Sequence, residues 1–246
     1  MYRRDSSAHV ASRNVLALDA CFGAVSVAVR WQDAPGRWQM RHALERRERG
    51  HAERLMPMLA DVMQQAGLGF CDLHRIAATV GPGSFTGVRT GVAAARGLAL
   101  ACGVPVVGAT SLAVMARQAL DLIGAARGER VLAVAADARR DMAFLQLFDG
   151  TGRALGEPLV ATPRDAAAAI GSRPAIVVGS GADAVAAAVK AAGGAAEAAL
   201  PDLEPDAQAL AVLAADLAPV DALRPLYVRE PDVKPQAGGL LTGAAP

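Results

Sequence analysis

A chain of 246 residues, 53% hydrophobic and 20% charged, has enough apolar material to bury a core and is not disordered as a whole. Its formal net charge of +1 excludes a global field that would draw it onto nucleic acid or an anionic membrane, so any RNA contact needs a local patch or a partner. No apolar run approaches the roughly 18 residues of a transmembrane helix, and the scattered Cys21, Cys71 and Cys102 form no CxxC pair and the histidines no HxxxH or HxxH pair, which suits a reducing, cytoplasmic setting without a metal centre.

Residues 1–13 are basic but lack the apolar stretch of a signal peptide, and are expected to form a flexible extension. The short runs Val15–Asp19, Val25–Trp31 and Trp38–Leu44 read as a three-stranded meander. A helix is expected from His51 to Ala66, with Leu55, Leu59, Val62 and Ala66 on one face and Met56, Met58, Ala60 and Met63 widening it. That arc exceeds what one sheet needs, so it predicts a second burial partner; Pro57 predicts a kink or a later effective start. Arg75–Val80 reads as a strand, leading through Gly81-Pro82-Gly83-Ser84-Phe85-Thr86-Gly87 into a helix that ends at Cys102 before Gly103. A strand over Val104–Gly108 and a helix Leu112–Ile123 capped by Ser111 complete this half.

Arg127-Gly128-Glu129 marks a break, after which the pattern restarts. Strands are expected at Val131–Asp137, Met142–Phe148 and Leu155–Ala161, then a helix opened by Thr162-Pro163 and running to Ile170. Ala175–Val178 reads as a strand, Ala182–Ala192 as a helix, Gly193–Glu204 as a loop, and Asp206–Leu217 as a final helix. The repeated order predicts a duplicated α/β unit of the ribonuclease-H-like, actin, Hsp70 and sugar-kinase type. The boundaries read from it are 14–126, 127–234, and a flexible tail over 235–246.

The loop Gly81–Gly87 admits two readings. Its amides and the following helix terminus could cradle an anion, but Val88 stands where a P-loop lysine would be, and spacing alone favours a tight turn whose glycines supply special backbone angles. Gly87, Gly91, Ala95 and Ala99 form a small-residue ridge that permits close approach of another element. Arg89 and Arg96 lie on another face, either solvated or paired with acids on a partner or with phosphate. Asp19 precedes Ala20 and Cys21, which bring no hydroxyl for a phosphate, so it is expected to close a turn rather than hold a metal. The charged run from Arg46 to Arg54 reads as a solvated helix start, with His51 near its cap. Asp137 and Arg139 share a charged hairpin turn that either stabilises the turn or faces a cleft between the two units together with Asp19. No Ser–His–Asp pattern and no paired catalytic carboxylates stand out.

Several segments resemble the TsaB family: Val15–Asp19 its opening strand, His51–Pro57 its first-helix motif, Gly81-Pro82-Gly83-Ser84-Phe85-Thr86-Gly87-Val88-Arg89 its hallmark loop, and Asp137-Ala138-Arg139 and Pro225–Arg229 two further blocks. The resemblance spans about Asn14 to Lys234 and is most specific in the hallmark loop. It implies two actin-like domains and a place in the bacterial machinery that makes threonylcarbamoyladenosine beside the tRNA anticodon. The threonylcarbamoyl group is transferred by the paralogue TsaD, with the ATPase TsaE assisting. TsaB pairs with TsaD through the first two helices, or with itself when alone, and meets tRNA only through the complex.

On that basis His51, Arg54, Leu55, Met58, Leu59, Val62, Gly87, Arg89, Gly91 and Ala95 are expected to form the partner surface. In TsaD an HxxxH pair binds metal just after the strand matching Val104–Gly108; Ser111 and Met115 stand there, so that site is not expected to form. Ala20 also replaces the usual Thr of the first loop. These departures favour an accessory subunit with no intrinsic cofactor and no membrane contact, while leaving room for a nucleotide at the partner interface. The competing readings are a free-standing actin-like ATPase, kinase or glycoprotease, and a tRNA-binding module, which the charge balance disfavours.

Overall fold

The computed structural model describes residues 14–47, 49–124 and 128–228. The extension expected over 1–13, the tail over 235–246, and Arg127 of the expected break lie outside the described residues, as do Arg229 and Lys234.

The first half of the chain builds β1 (Val15–Asp19), β2 (Ala24–Ala34), β3 (Arg37–Arg46), α1 (His51–Ala66), β4 (Arg75–Thr79), α2 (Phe85–Cys102), β5 (Val106–Ala109) and α3 (Ser111–Ile123). The second builds β6 (Val131–Asp137), β7 (Ala143–Phe148), β8 (Leu159–Ala161), α4 (Pro163–Ile170), β9 (Ala175–Val178), α5 (Ala182–Ala191), β10 (Ala196–Ala199) and α6 (Ala207–Leu213). Each half forms a five-stranded mixed sheet, ordered β3-β2-β1-β4-β5 and β10-β9-β6-β7-β8. In each, the first strand pairs antiparallel with the second and parallel with the fourth. The two sheets therefore repeat one topology. β1, β4 and β9 are buried along their whole length, as parallel strands covered on both faces require. β3 is the exposed edge strand and carries Arg37, Arg41, Glu45 and Arg46, charges that discourage edge-to-edge pairing.

Alternation along the strands sets four apolar layers. Leu16, Leu18, Val25 and Val27 face α1 and α2. On the other side of the same sheet, Val15, Ala17, Ala77 and Val107 meet α6 and Val114 of α3. In the second sheet, Ala133, Leu145 and Val177 face α4 and α5, while Leu132, Val134, Phe144 and Phe148 meet Leu112, Met115 and Ala119 of α3. α3 is thus the shared element, packed against both sheets.

Four expectations need correcting. Residues 196–199, expected within a loop, pair with β9 as the edge strand β10. Thr110, not Ser111, caps α3, accepting a hydrogen bond from the Ala113 amide at 3.0 Å. α1 starts at His51 and runs through Pro57, so Pro57 does not mark its start; it is exposed, and the acceptor its ring leaves unused sits on the wet side of the helix. The last helix is shorter than expected and lies on the first sheet, where Arg75 donates to the carbonyls of Ala214 and Leu217.

The chain then returns along the open edge of that sheet. The Val220 amide donates to the Val106 carbonyl at 3.0 Å, Leu223 is buried, and the Leu226 amide donates to the Val80 carbonyl at 2.6 Å. The boundary read near residue 127 therefore separates the strands of the two sheets but not all the helices that cover them.

Candidate functional site

The glycine-rich loop lies where β4 meets α2, directly against the turn between β1 and β2. A Cβ on Gly83 would stand 2.3 Å from the Cys21 carbonyl oxygen, and one on Gly87 only 1.9 Å from that of Ala20. Gly81 has φ +108, and a Cβ there would meet the Leu226 carbonyl at 2.6 Å. The Ser84 amide donates to the Cys21 carbonyl at 2.7 Å, and the Ser84 hydroxyl caps α2 by accepting from the Gly87 amide at 3.1 Å. From α3, the Ser111 amide donates to the Gly81 carbonyl at 2.9 Å and its hydroxyl to the Pro82 carbonyl at 2.5 Å. The glycines allow backbone to approach backbone, which is the tight-turn reading of the motif. Pro82 is buried within this packing, while Phe85 and Thr86 open onto solvent.

Asp19 is fully buried and so lines no cleft, contrary to one expectation for it. Both of its carboxylate oxygens accept from the Cys21 amide at 3.3 Å, the turn-closing role expected of it. The Thr79 hydroxyl donates to it as well, and the Cys21 thiol donates to Thr79 at 3.1 Å. Burial pushes the Asp19 carboxyl up to about 7, against the pull of these donors. The same burial, with Asp19 beside it, pushes the Cys21 thiol upward. Around this turn, Glu204 accepts from the Gly23 amide at 3.2 Å, the Arg47 amide donates to the Gly23 carbonyl at 2.8 Å, and His51 Nε2 lies 2.9 Å from the Phe22 carbonyl as an Nε2–H donor. The turn is clamped from three sides.

The two helices above it divide sharply into faces. Leu55, Met58, Leu59 and Val62 of α1, and Gly87, Gly91 and Ala95 of α2, are buried in the chain's own first core. They are therefore not a free partner surface. The wide arc of α1 is absorbed by β2, β3 and α2, and each fully buried leucine there contributes roughly 1.5–3 kcal/mol to folding. A Cβ on Gly91 would make ordinary contact with Leu18 and Ala20, so a bulky residue there would disturb the core rather than a docking face. The exposed side carries Ala52, Met56 and Ala60 on α1 and Ala93, Gly97 and Leu100 on α2. A Cβ on Gly97 would meet nothing within 4 Å, and Leu100 is 85% exposed.

Of the polar residues expected at this surface, Arg54 is partly exposed and pairs with Glu45 at 2.8 Å and with Asp61 at 3.8 Å. Its guanidinium holds the Glu45 carboxyl below the usual range. Arg89 is exposed and stacks on Phe85, its guanidinium 3.8 Å from the ring centroid. Its Nε donates to the Tyr227 hydroxyl at 2.8 Å. In the second sheet, Asp137 is exposed and accepts from the Arg139 amide at 2.8 Å, while Arg139, Arg140 and Asp141 all have positive φ. Asp137 and Arg139 act as turn residues, and they do not meet the buried Asp19.

A family model described as TsaD, tRNA N6-adenosine threonylcarbamoyltransferase, matches residues 45–206, well over half of the chain. The TsaB proteins of Escherichia coli and Haemophilus influenzae are 40% and 38% identical, over 46% and 53% of this chain. A solved structure of a Pseudomonas aeruginosa protein with similarity to peptidase YeaZ is 31% identical, has a TM-score of 0.69, and covers 88% of this chain and 100% of its own. The chain belongs to the TsaB/YeaZ family. It spans about half the length of the curated TsaB relatives it matches, 47% and 51%.

In this TsaB-family chain α3 carries Ser111 at its start and Met115 one turn later, both buried. Ser111 holds the glycine-rich loop, and the Met115 methyl lies 3.0 Å from where a Cβ on Gly179 would stand. Among the described residues no three His, Cys, Asp or Glu side chains are grouped as metal ligands, and no helix is long and apolar enough to cross a membrane. Sequence reasoning missed Thr79, Glu204, Leu223 and Tyr227. Thr79 closes an apolar strand and Tyr227 lies in a recognised block, but nothing local signals their partners 60 and 138 residues away.

Proposed function

We propose that this chain is the accessory subunit of the machinery that makes threonylcarbamoyladenosine beside the tRNA anticodon. It docks a TsaD-type catalytic paralogue through the outer face of α1 and α2. It comprises two actin-like units, one on each sheet, with α3 between them and α6 returned to the first. It has no catalytic centre or resident cofactor of its own, works beside a TsaE-type ATPase in the cytoplasm, and meets tRNA only through the complex. When alone it pairs with itself through the same face. Any nucleotide in the assembly sits at the partner interface.

The observation that carries this reading is the outer face itself. Ala52, Ala60, Ala93 and Gly97 allow helices of a second protein to approach closely, while the exposed Met56 and Leu100 supply apolar area. The packed loop supports the non-catalytic part: Asp19, in the turn beneath it, is sealed from solvent, and the space beside the loop glycines is filled by that turn. A free-standing ATPase, kinase or glycoprotease would need those groups open to substrate.

Gly97→Trp tests the docking face. Gly97 is exposed and a Cβ there meets nothing within 4 Å, so the variant should keep its fold, read by circular dichroism. Affinity for the TsaD paralogue, read by calorimetry, should fall at least about tenfold, because a bulky side chain blocks close helix approach. Wild-type affinity in this variant would refute the face.

A further inference from the structure

Beside that face stands a group carried by the last described residues of the chain. Residues 219–228 strap the first sheet edge back to the start of α2. The strap is fixed by the buried Leu223 and by the Leu226 amide on Val80, so Tyr227 is held in place rather than loose. Tyr227 stacks against Phe85, ring centroids 5.4 Å apart, and its hydroxyl accepts from Arg89 Nε at 2.8 Å. One face of the Arg89 guanidinium rests on Phe85 at 3.8 Å. The plane of the fork is thus set by a ring beneath it and a hydrogen bond at its side, and its two terminal nitrogens remain as donors.

Several other surface arginines are already engaged in ion pairs, while Arg30 and Arg41 each lie over a single tryptophan. Arg37 pairs with Asp33, Arg54 with Glu45, Arg117 with Asp121 and Arg130 with Glu197. Among the described residues Arg89 pairs with no carboxylate, although it is the arginine oriented by two aromatic side chains. A pre-oriented fork matches a carboxylate through two parallel hydrogen bonds and loses little entropy on engaging it. Its aromatic setting resembles the Arg and Tyr anchors that dominate protein interfaces.

We propose that Arg89 is a ready-made receptor for an Asp or Glu side chain of the docked partner protein, with Tyr227 as its positioning residue. This rests on the docking reading above and specifies its chemistry. Tracking an RNA backbone would instead require a row of cations, and the chain's net charge of +1 does not favour one.

The test measures affinity of the full chain for the purified TsaD paralogue, at low and high salt, with Gly97→Trp alongside. Arg89→Gln should weaken binding about tenfold and Arg89→Glu further, as for a buried interfacial charge, and Tyr227→Phe by about threefold through faster dissociation. The salt dependence of the wild type should shrink in Arg89→Gln, and the melting temperature of each variant should hold, which a merely structural role would not give. Wild-type affinity in both Arg89 variants, with Gly97→Trp impaired, would overturn the receptor and leave the docking face standing. Wild-type affinity in all variants would overturn both. Unchanged partner affinity with weakened tRNA binding by the assembled complex would assign Arg89 to a phosphate and overturn the proposal.

Discussion

Gly87→Ala is expected to destabilise the chain by about 3 kcal/mol or more, a large share of a typical domain's stability. The added methyl would stand 1.9 Å from the Ala20 carbonyl oxygen and 2.6 Å from the Ser84 hydroxyl. Neither neighbour is a flexible side-chain end. The first is backbone, and the second is the cap of the same helix. Relief requires α2 to lift from β1 or the β1–β2 turn to open, and the Ser84–Cys21 hydrogen bond opposes both. Gly97→Ala is the internal control on the same helix: its methyl enters open space, and it should stabilise by roughly 0.5–1 kcal/mol through backbone entropy. Thermal unfolding of the two variants should therefore move in opposite directions.

Asp19→Asn is expected to stabilise the chain above neutral pH. The carboxyl rises from 3.8 to about 7 on folding, chiefly because burial disfavours its charge. Below pH 3.8 it is neutral in both states, and its preference for the folded state is complete. Between there and about 7 the unfolded chain ionises first, so stability drains away as pH rises. At about 1.36 kcal/mol per unit, the loss is at most roughly 4 kcal/mol. Asparagine keeps an acceptor for the Cys21 amide and for Thr79 but does not titrate. The stability difference between variant and wild type should grow from pH 4 to pH 7 and level off above it, measured by denaturant unfolding across that range. Glu204, also raised by burial, adds a slope of the same sign in both proteins. A pH-independent difference would show that Asp19 ionises normally.

These two positions also mark where sequence reading stops. Apolar runs and glycine or proline punctuation located nearly every strand and helix, because buried parallel strands and amphipathic helices leave strong periodic signals. β10 escaped because Ala196-Glu197-Ala198-Ala199 has weak strand character and exists only by pairing with β9. The glycine-rich loop could be located, and spacing favoured the tight turn that the structure has, but could not exclude an anion cradle. Close backbone approach and anion binding demand the same glycines, and only the placement of Ala20 and Cys21 separates them.

The outer surface of α1 and α2 leaves no comparable signal in the sequence. Leu55, Met58, Leu59 and Val62 looked surplus to one sheet, yet β2, β3 and α2 cover them all, leaving mostly small residues with Met56 and Leu100 outside. A wide apolar arc does not say which side a partner takes. The Arg89–Tyr227 contact was illegible for another reason: it depends on α6 and the strap crossing back to the first sheet.

Threonylcarbamoyl transfer to tRNA should be measured in a mixture of the TsaD paralogue, the TsaE-type ATPase and threonylcarbamoyl-adenylate, with and without this chain. Modification is expected only when the chain is present, and none from the chain alone. Full modification without it, or modification by the chain in the absence of the paralogue, would contradict its role as a non-catalytic partner.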